Sequence, residues 1–297
     1  MTLQRDFLFL LSQASLILSL SFATPTARAQ RPIGTDVSGY QPPYLDWIAI
    51  KNAGVSFAWV KATESTNYES PYFSAQMMGA NCAGVYVGAY HFARPSDDPH
   101  VTGKNSADSE ASYFWSIAGR YVKAGDGYLV PMLDWEDPNT TNGAGFTQTF
   151  MSKWVNEWCN DVSNDAAAQG VVIRPVVYTG TWYSMPTTGG LGYPGLDTTV
   201  TNWPDWIAAY PKHAIAQTGT PGKTGPWPGY DIWQYGDTNW SGGDSDAYNG
   251  TFQHFLATFA IDGTNASRFA ATSTNVTADM GPKTTFVDPP SILPKDK

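Results

Sequence analysis

The stretch Leu129-Val130-Pro131-Met132-Leu133-Asp134-Trp135-Glu136-Asp137 is an apolar strand pattern that ends in acidic residues. Successive side chains of a strand point to opposite faces, so the spacing predicts that Asp134 and Glu136 share one face. Two neighbouring carboxylates repel each other, and one of them is expected to keep its proton near neutral pH. An acid beside a carboxylate anion is the pair that hydrolysis of a glycosidic bond requires. A solvated strand end, where acidic residues are common, is the alternative explanation.

The segments on either side of this strand alternate between strand-like and helix-like patterns. Strands are predicted at residues 33–38, 57–63, 85–92, 128–136, 171–178, 205–210 and 230–235. Helices are predicted at about residues 44–53, 71–82, 105–120 and 146–168. Strands that alternate with helices pair in parallel through right-handed crossovers. The number of units favours a closed α/β barrel over an open sheet, with a last third that is poor in helix.

Polar residues recur at the carboxyl end of nearly every predicted strand. In a parallel barrel these strand ends meet at one mouth, which is where the chemistry of such barrels takes place. Each residue alone is explained equally well by a solvated strand end, but their recurrence predicts one shared cleft. The residues are Asp36, Glu64, Tyr90, His91, Asp134, Glu136, Tyr178, Tyr210 and Gln234, followed shortly by Asp244 and Asp246.

The acidic members of this set have different expected roles. Repulsion raises the pKa of whichever carboxyl group is least solvated. We assign that role to Glu136, as the general acid that protonates the leaving oxygen. Asp134 is expected to stay ionised and to stabilise the positive charge that develops on the sugar. Asp36 and Asp244 would tune this pair or hold the sugar ring and its N-acetyl group.

The composition is that of a globular protein with a large core. The chain has 297 residues, which suits one large domain or two ordinary ones. Hydrophobic residues make up 42% and charged residues 14%, which argues against general disorder. The aromatic content of 14% suits a sugar-binding cleft, although large barrels also bury many aromatic rings.

Both ends of the chain are predicted to lie outside the catalytic domain, which is assigned to residues 30–260. Arg5 precedes an apolar stretch, and Ala27-Arg28-Ala29 forms a small-x-small cleavage site, so residues 1–29 are predicted to be an export signal. An uncleaved anchor is the alternative, but the stretch is interrupted by polar residues and is short for a membrane span. Residues 261–297 are rich in Thr, Asn and Pro and are predicted to form a tail with little structure of its own.

The predicted mature chain is strongly acidic. Without the export signal it holds 15 basic and 25 acidic residues, a formal charge of −10. Such a surface repels nucleic acid and anionic membranes. We therefore expect no nucleic acid partner and no stable membrane association. The export signal separately predicts a secreted protein, extracellular or periplasmic according to the host.

Other chemistries fit the sequence poorly. The four histidines form no His-x-x-x-His motif and there is no cysteine cluster, which argues against a catalytic zinc. Nucleophile-elbow, phosphate-loop and calcium-loop motifs are missing, so no cofactor or metal is predicted. His91 is expected to pack or to form hydrogen bonds near the third strand end. Cys82 and Cys159 allow at most one disulfide, and free thiols explain them equally well.

Seven segments resemble, in order, the motifs of glycoside hydrolase family 25, the N-acetylmuramidase lysozymes. The resemblance spans about residues 33–252, and the ordered set is specific although each segment alone is weak. The segments are Gly34-Thr35-Asp36-Val37-Ser38-Gly39-Tyr40-Gln41, Phe57-Ala58-Trp59-Val60-Lys61-Ala62-Thr63-Glu64, Val87-Gly88-Ala89-Tyr90-His91-Phe92-Ala93-Arg94-Pro95, Asp134-Trp135-Glu136, Pro175-Val176-Val177-Tyr178-Thr179-Gly180, Trp206-Ile207-Ala208-Ala209-Tyr210 and Trp233-Gln234-Tyr235.

The resemblance implies a fold, a reaction and a set of site residues. The fold is a modified TIM-like (β/α)5(β)3 barrel in a single catalytic domain. The reaction is cleavage of the β-1,4 bond between N-acetylmuramic acid and N-acetylglucosamine in peptidoglycan. The implied catalytic residues are Glu136 as the acid, Asp134 as its partner carboxylate, Asp36 and Asp244, and the implied substrate-binding residues are Glu64, Tyr90, Tyr178, Tyr210, Gln234 and Asp246.

The sequence departs from the family pattern at two places. Relatives often carry Gly after the glutamate of the second strand, where this chain has Ser65. The residue before Asp244 is Gly243, where an apolar residue is usual, so Asp246 is an alternative match for the late aspartate.

Alternative functions and the stereochemistry stay open at this stage. A chitinase-like hydrolase also uses Asp and Glu two residues apart, and a non-hydrolytic glycan-binding module would have the aromatic cleft without the acid. We expect a monomer that binds the glycan strands of peptidoglycan.

The stereochemistry depends on the distance between the two carboxyl groups. A close carboxylate pair would retain the anomeric configuration and a wide pair would invert it. We favour a third route, attack by the N-acetyl oxygen of the substrate, because muramic acid carries that group.

Overall fold

The computed structural model describes residues 30–95, 106–136, 146–186, 193–239 and 242–261. The predicted export signal and nearly all of the predicted tail lie outside the described residues. Within these ranges one sheet contains nine strands in the order β1-β9-β8-β7-β6-β5-β4-β2-β3, and β1 also pairs with β2. The strands are β1 Ile33–Val37, β2 Val55–Glu64, β3 Tyr68–Glu69, β4 Tyr86–Phe92, β5 Met132–Asp134, β6 Val176–Gly180, β7 Asp205–Ala208, β8 Ile232–Gly236 and β9 Ser245–Tyr248.

The pairing of β1 with β2 closes the sheet into a barrel of eight strands, with β3 as a short hairpin partner of β2. Apart from the hairpin partner β3, the barrel strands from β1 through β8 pair in parallel with one another. Only β9, among the described barrel strands, is antiparallel, and it pairs with β8 on one side and β1 on the other. The modified (β/α)5(β)3 barrel implied by the family resemblance is therefore confirmed.

Helices cover the outside of the barrel and one of its ends. Side-chain oxygens of Asp46, Thr147 and Thr251 accept hydrogen bonds from backbone N–H groups in the first turns of α1, α4 and α6, which fixes where these helices begin. None of the described helices combines the length and apolar character needed to cross a bilayer. The helices are α1 Trp47–Asn52, α2 Phe73–Cys82, α3 Ala107–Ala118, α4 Gln148–Ala168, α5 Thr181–Ser184 and α6 Phe252–Phe259.

Aromatic rings fill the barrel interior toward the end that α6 covers. Phe255 of α6 stacks on Phe57 with ring centroids 4.5 Å apart, and Phe259 meets the edge of Trp59 at 6.0 Å. The indole N–H of Trp59 donates to the carbonyl oxygen of Val130 at 3.0 Å, so this buried polar atom is satisfied. The packing leaves the opposite end of the barrel, where the parallel strands finish, open to solvent.

Two predicted strands begin well after their expected first residue, and a proline directly precedes each of them. The strand predicted at 128–136 begins only at Met132, because Pro131 has no N–H to donate to the ladder, and it ends at Asp134. The strand predicted at 171–178 begins at Val176, directly after Pro175. Glu136 therefore lies beyond the end of β5 rather than on the same strand as Asp134.

The elements after residue 236 were missed by the sequence patterns. β9 is four residues long and half polar, so it has no alternating apolar signal, and its strand form depends on pairing with two neighbours. α6 was also missed, since no helix was predicted after residue 168. The parallel pairing expected where strands alternate with helices is confirmed, and the antiparallel β9 was not predicted.

The described residues contain no disulfide. Cys82 at the end of α2 is exposed and Cys159 of α4 is buried, and both are free thiols. Burial raises the pKa of the Cys159 thiol well above its usual value, so this thiol stays protonated and packs as a small apolar group.

Candidate active site

An acidic cleft of about 390 Å³ lies at the open end of the barrel, where the parallel strands finish. Glu64, Tyr210 and Asp246, three of the ten predicted site residues, do not line it directly. Glu64 lies beside the cleft, Tyr210 is 44% exposed near its rim, and Asp246 is fully buried beneath it. The predicted residues that line the cleft are Asp36, Tyr90, Asp134, Glu136, Tyr178, Gln234 and Asp244.

The carboxamide of Gln234 organises one side of the cleft. Its Nε2 donates to Asp36 Oδ2 at 2.8 Å and to Asp244 Oδ2 at 3.0 Å. Its Oε1 accepts from the hydroxyl of Tyr178 at 2.7 Å and from the hydroxyl of Tyr210. Because both donor hydrogens and both acceptor positions of the amide are used, four side chains from four parts of the chain have one fixed arrangement.

Three aspartates are crowded on this side of the cleft. Burial raises the pKa of Asp36 to about 7, although the hydrogen bond from Gln234 lowers it in part. Burial and the charge of Asp36 raise the pKa of Asp244 to about 9. Asp246 is 0% exposed, and burial followed by the charges of Asp36 and Asp244 raises its pKa well above the usual value. Most of this group is therefore protonated at neutral pH.

Asp134 and Glu136 face the same cleft at different depths. Asp134 is 6% exposed at the end of β5, and burial together with the charge of Glu136 raises its pKa well above the usual value. Glu136 is half-buried, and the increase in its pKa caused by burial is opposed by the charges of Lys61 and Arg94. The sequence-based expectation that Glu136 is the least solvated acid is wrong, since Asp134 is the more deeply buried of the two.

Lys61, Glu64 and Arg94 form a charged cluster beside Glu136. Lys61 Nζ lies 2.6 Å from Glu64 Oε2, and Arg94 Nε lies 2.9 Å from Glu64 Oε1. Burial of Glu64 raises its pKa, but the hydrogen bonds and charges of Lys61 and Arg94 outweigh this effect and lower it. Glu64 is therefore an ionised residue that holds two cations at the edge of the cleft.

A buried polar chain links this charged cluster to the helices. His91 Nε2 lies 2.7 Å from Glu110 Oε2, and both side chains are 0% exposed. His91 Nδ1 and the Thr63 hydroxyl form a hydrogen bond of 2.8 Å, and the backbone N–H of Arg94 donates to Glu110 Oε2 at 3.0 Å. The expectation that His91 packs and forms hydrogen bonds near the third strand end is confirmed, and this pairing fixes the segment that carries Arg94.

Several cleft residues were missed by the strand-end argument. Lys61 lines the cleft from within β2, and its only sequence signal was that it is the one charged residue in the run Phe57 to Thr63. Tyr40 and Gln41 reach the cleft from the loop after β1, and Asp237 reaches it from the residue after β8. Among the described residues, no three His, Cys, Asp or Glu side chains converge as a metal site.

The order and geometry of these elements agree with a known family. The sequence model of the glycosyl hydrolases family 25 matches residues 35–244, which begin in β1 and end at Asp244. The chain belongs to glycosyl hydrolase family 25. This match covers the cleft residues and most of the barrel. The protein is therefore a glycosidase.

Similar proteins include bacterial and fungal muramidases. Lysozyme M1 of Streptomyces globisporus is 32% identical over 233 residues, which cover 75% of this chain and 70% of that protein. The N,O-diacetylmuramidase of Arthroderma benhamiae is 31% identical over 228 residues, covering 75% and 84%. The muramidase structure from Trichobolus zukalii superposes with a TM-score of 0.62 at 30% identity and covers 76% of this chain and 97% of its own.

The buried pair of His91 and Glu110 is expected to stabilise the fold. Glu110→Ala removes the partner of His91 Nε2 and of the Arg94 N–H, and leaving buried polar groups unpaired should lower the free energy of unfolding by about 3 kcal/mol. Urea unfolding measures this change. Glu157→Gln on the exposed face of α4 is the matched control and should change stability by less than about 0.5 kcal/mol. Equal stability of Glu110→Ala and wild type would contradict the role of the pair.

The protonated aspartates predict a pH-dependent stability. The pKa values of Asp36 and Asp244 rise from 3.8 to about 7 and about 9, so between these limits the folded state holds protons that the unfolded state has lost. Their contribution to the free energy of unfolding is complete below about pH 4 and is lost as the pH rises through 7 and 9. The melting temperature should fall from about pH 5 to about pH 9, and less steeply in Asp244→Asn.

The exposed variant Asp126→Asn is the control for this measurement and should keep the wild-type slope, because Asp126 lies on the surface beside Lys123. A wild-type melting temperature that rises over the same interval would show that the cleft aspartates are ionised in the folded protein.

Proposed function

We propose that this protein hydrolyses the β-1,4 bond between N-acetylmuramic acid and N-acetylglucosamine in peptidoglycan. The observation that carries the proposal is that the Asp134 and Glu136 carboxyl groups line one cleft at different depths. Such a pair supplies one proton donor and one stabilising carboxylate to a sugar ring lying across it. The names of the relatives, lysozyme and N,O-diacetylmuramidase, support peptidoglycan over chitin as the substrate.

Glu136 is the proposed general acid because it lies at the more accessible position. Its proton passes to the bridging oxygen as the bond from the muramic acid C1 to that oxygen breaks. The ionised Glu136 then accepts a proton from the water molecule that attacks C1. Burial keeps the pKa of Glu136 above its usual value, so that it can carry this proton, and the charges of Lys61 and Arg94 limit the rise and favour the ionised form that follows.

Asp134 is the proposed stabilising carboxylate at the bottom of the cleft. In substrate-assisted hydrolysis the acetamido oxygen of muramic acid attacks C1, and positive charge develops on the acetamido group. A positive charge beside Asp134 stabilises the ionised form of Asp134. Glu136 is therefore the member of the pair that carries the proton until the bond breaks. The deeper burial of Asp134 is therefore compatible with this proposed role.

The remaining site residues are proposed to hold the substrate. The Gln234 amide keeps Asp36, Asp244 and Tyr178 in position, and Tyr90 forms part of the same wall. We further propose that residues 1–29 direct export and are removed, that residues 30–260 form the catalytic domain, and that the enzyme acts outside the cytoplasm as a monomer. The apolar stretch after Arg5 and the small-x-small site Ala27-Arg28-Ala29 support export.

Replacement of Glu136 tests the assignment of the acid. Glu136→Gln keeps the shape of the side chain but has no proton to donate, so kcat for lysis of purified bacterial cell walls should fall by about 10²–10⁴-fold. Glu157→Gln, an exposed substitution of the same type, should keep the wild-type rate. Wall lysis by Glu136→Gln at the full rate would reject the assignment, and faster turnover of chitin oligomers than of peptidoglycan by the wild type would favour a chitinase.

The anomer released first tests the substrate-assisted route. Attack by the acetamido oxygen followed by attack by water inverts C1 twice, so the product should appear first as the β-anomer. Proton NMR of a soluble peptidoglycan fragment during the first turnovers measures this. Initial release of the α-anomer would show a single inversion and would rule out both the substrate-assisted and the covalent retaining routes.

A further inference from the structure

Three aromatic side chains, Trp182, Tyr183 and Tyr210, form a patch beside the acidic cleft that we call the aromatic platform. Trp182 and Tyr183 belong to α5, which directly follows β6, and Tyr210 comes shortly after the end of β7. Because β6 and β7 are parallel neighbours, all three residues lie at the end of the barrel that holds the cleft. None of the three lines the described cleft, and the proposed reaction does not use Trp182 or Tyr183.

The strand register brings the rings of the platform together. Gly180 at the end of β6 pairs with Ala208 at the end of β7, and Trp182 and Tyr210 each lie two residues beyond this pair. The ring centroids of Trp182 and Tyr210 are 5.9 Å apart, and those of Trp182 and Tyr183 are 6.0 Å apart. Trp182 is therefore the central ring of the platform.

The indole of Trp182 packs closely on the end of β6. A Cβ atom at Gly180 would lie 2.4 Å from Cε2 of Trp182, which is far closer than non-bonded carbon atoms approach. The φ of Gly180 is −76°, which any residue adopts, so the close approach of the ring and not the backbone accounts for the glycine. Trp182 is nevertheless 37% exposed and Tyr210 is 44% exposed. The platform therefore offers supported aromatic surface to solvent.

The platform is continuous with the cleft. The hydroxyl of Tyr210 donates to Gln234 Oε1, and Gln234 holds Asp36 on the cleft wall. Burial raises the pKa of Tyr183 to about 12, and the charge of Glu136 adds to this increase, so Tyr183 lies within electrostatic range of the proposed acid. A ligand that crosses the mouth of the barrel can therefore touch the cleft and the platform at once.

The chemistry of the platform matches a neutral sugar ring. Its three side chains have aromatic faces with an indole N–H and hydroxyl groups at their tips, a combination that packs on the C–H face of a pyranose and bonds its hydroxyls. The cations near the cleft, Lys61 of β2 and Arg94 after β4, lie on the other side of β5. Three side chains are also far fewer than the roughly 20–30 residues that each partner contributes to a stable protein interface.

We propose that the aromatic platform binds one pyranose ring of the glycan strand, next to the rings held in the cleft and outside the bond that is cut. The inference rests on the proposed function, because the ligand is the strand that is hydrolysed. The cleft volume of about 390 Å³ is near the lower end of the range for ligand pockets, so a strand of several rings extends over its rim. The platform is the aromatic surface on the β6 and β7 side of that rim.

Hydrolysis of a soluble peptidoglycan tetrasaccharide, two repeats of N-acetylglucosamine and N-acetylmuramic acid, tests the platform. Trp182→Leu should raise KM by about tenfold and leave kcat nearly unchanged, because a ring outside the cleaved bond is held equally before and during the reaction. Trp182→Phe keeps an aromatic face and should raise KM by less than about threefold. Phe252→Leu is the matched control, since Phe252 is also 37% exposed but lies on α6 at the closed end, and it should keep both constants.

NMR titration of Glu136→Gln with the same tetrasaccharide tests the contact directly and does not require Trp182→Leu to fold. The indole N–H signal of Trp182, recognised by its absence in Trp182→Phe, and the carboxamide signals of Gln234 in the cleft should shift with one Kd. A Trp182 signal that stays in place overturns the platform, whether or not Gln234 responds.

The kinetic outcomes separate the platform from the proposed function. An unchanged KM in Trp182→Leu, or a fall in kcat without a rise in KM, would mean that Trp182 has no role or only a structural one, and either result overturns the platform. Cleavage of the tetrasaccharide by the wild type with either result leaves the proposed function standing. A wild type that cleaves neither the tetrasaccharide nor bacterial walls would contradict the proposed function itself.

Discussion

A single antiparallel strand decides both how this barrel closes and what its cleft contains. β9 pairs with β8 and with β1, and the turn before it places the Asp244 backbone against β1. The Asp244 N–H donates to the Asp36 carbonyl oxygen at 3.1 Å, and the Thr35 hydroxyl donates to the Asp244 carbonyl oxygen at 2.8 Å. Asp246 lies on β9 itself. The hydrogen bonds that complete the barrel therefore force three carboxyl groups together.

This crowding explains the electrostatic difference between the two sides of the cleft. On the β9 side, Asp36 and Asp244 share the neutral amide of Gln234, and protons reduce their repulsion. On the β2 side, Lys61 and Arg94 supply positive charge next to Glu136. A carboxyl group that must release its proton during a reaction is better placed near cations than among other acids. The position of Glu136 relative to both sides supports its proposed role as the acid more strongly than the Asp-x-Glu spacing does.

The sequence predicted those parts of the fold that have their own local signal. Long apolar runs identified β2 and β4 and the alternation identified the parallel barrel, whereas β9 has no local signal because its strand form depends on two tertiary partners. The strand-end rule located Asp36 and Gln234 but placed Glu64, Tyr210 and Asp246 in the cleft itself, because sequence does not reveal depth.

Ser65, where the family pattern often has glycine, has φ of 54°, and its N–H donates to the Phe92 carbonyl oxygen. Glycine adopts this left-handed backbone more readily than serine does.

The chemistry at Glu136 also depends on residues that never reach the cleft. Arg94 affects Glu136 only if its backbone stays at the end of β4, and its N–H is held there by Glu110 of α3. Glu110 is fixed in turn by His91, whose ring stacks on Trp158 of α4 with centroids 5.6 Å apart. The packing of α3 and α4 therefore determines where a cation lies relative to the acid. A buried polar contact inside the helical layer therefore sets the charge environment of the proposed proton transfer in the cleft.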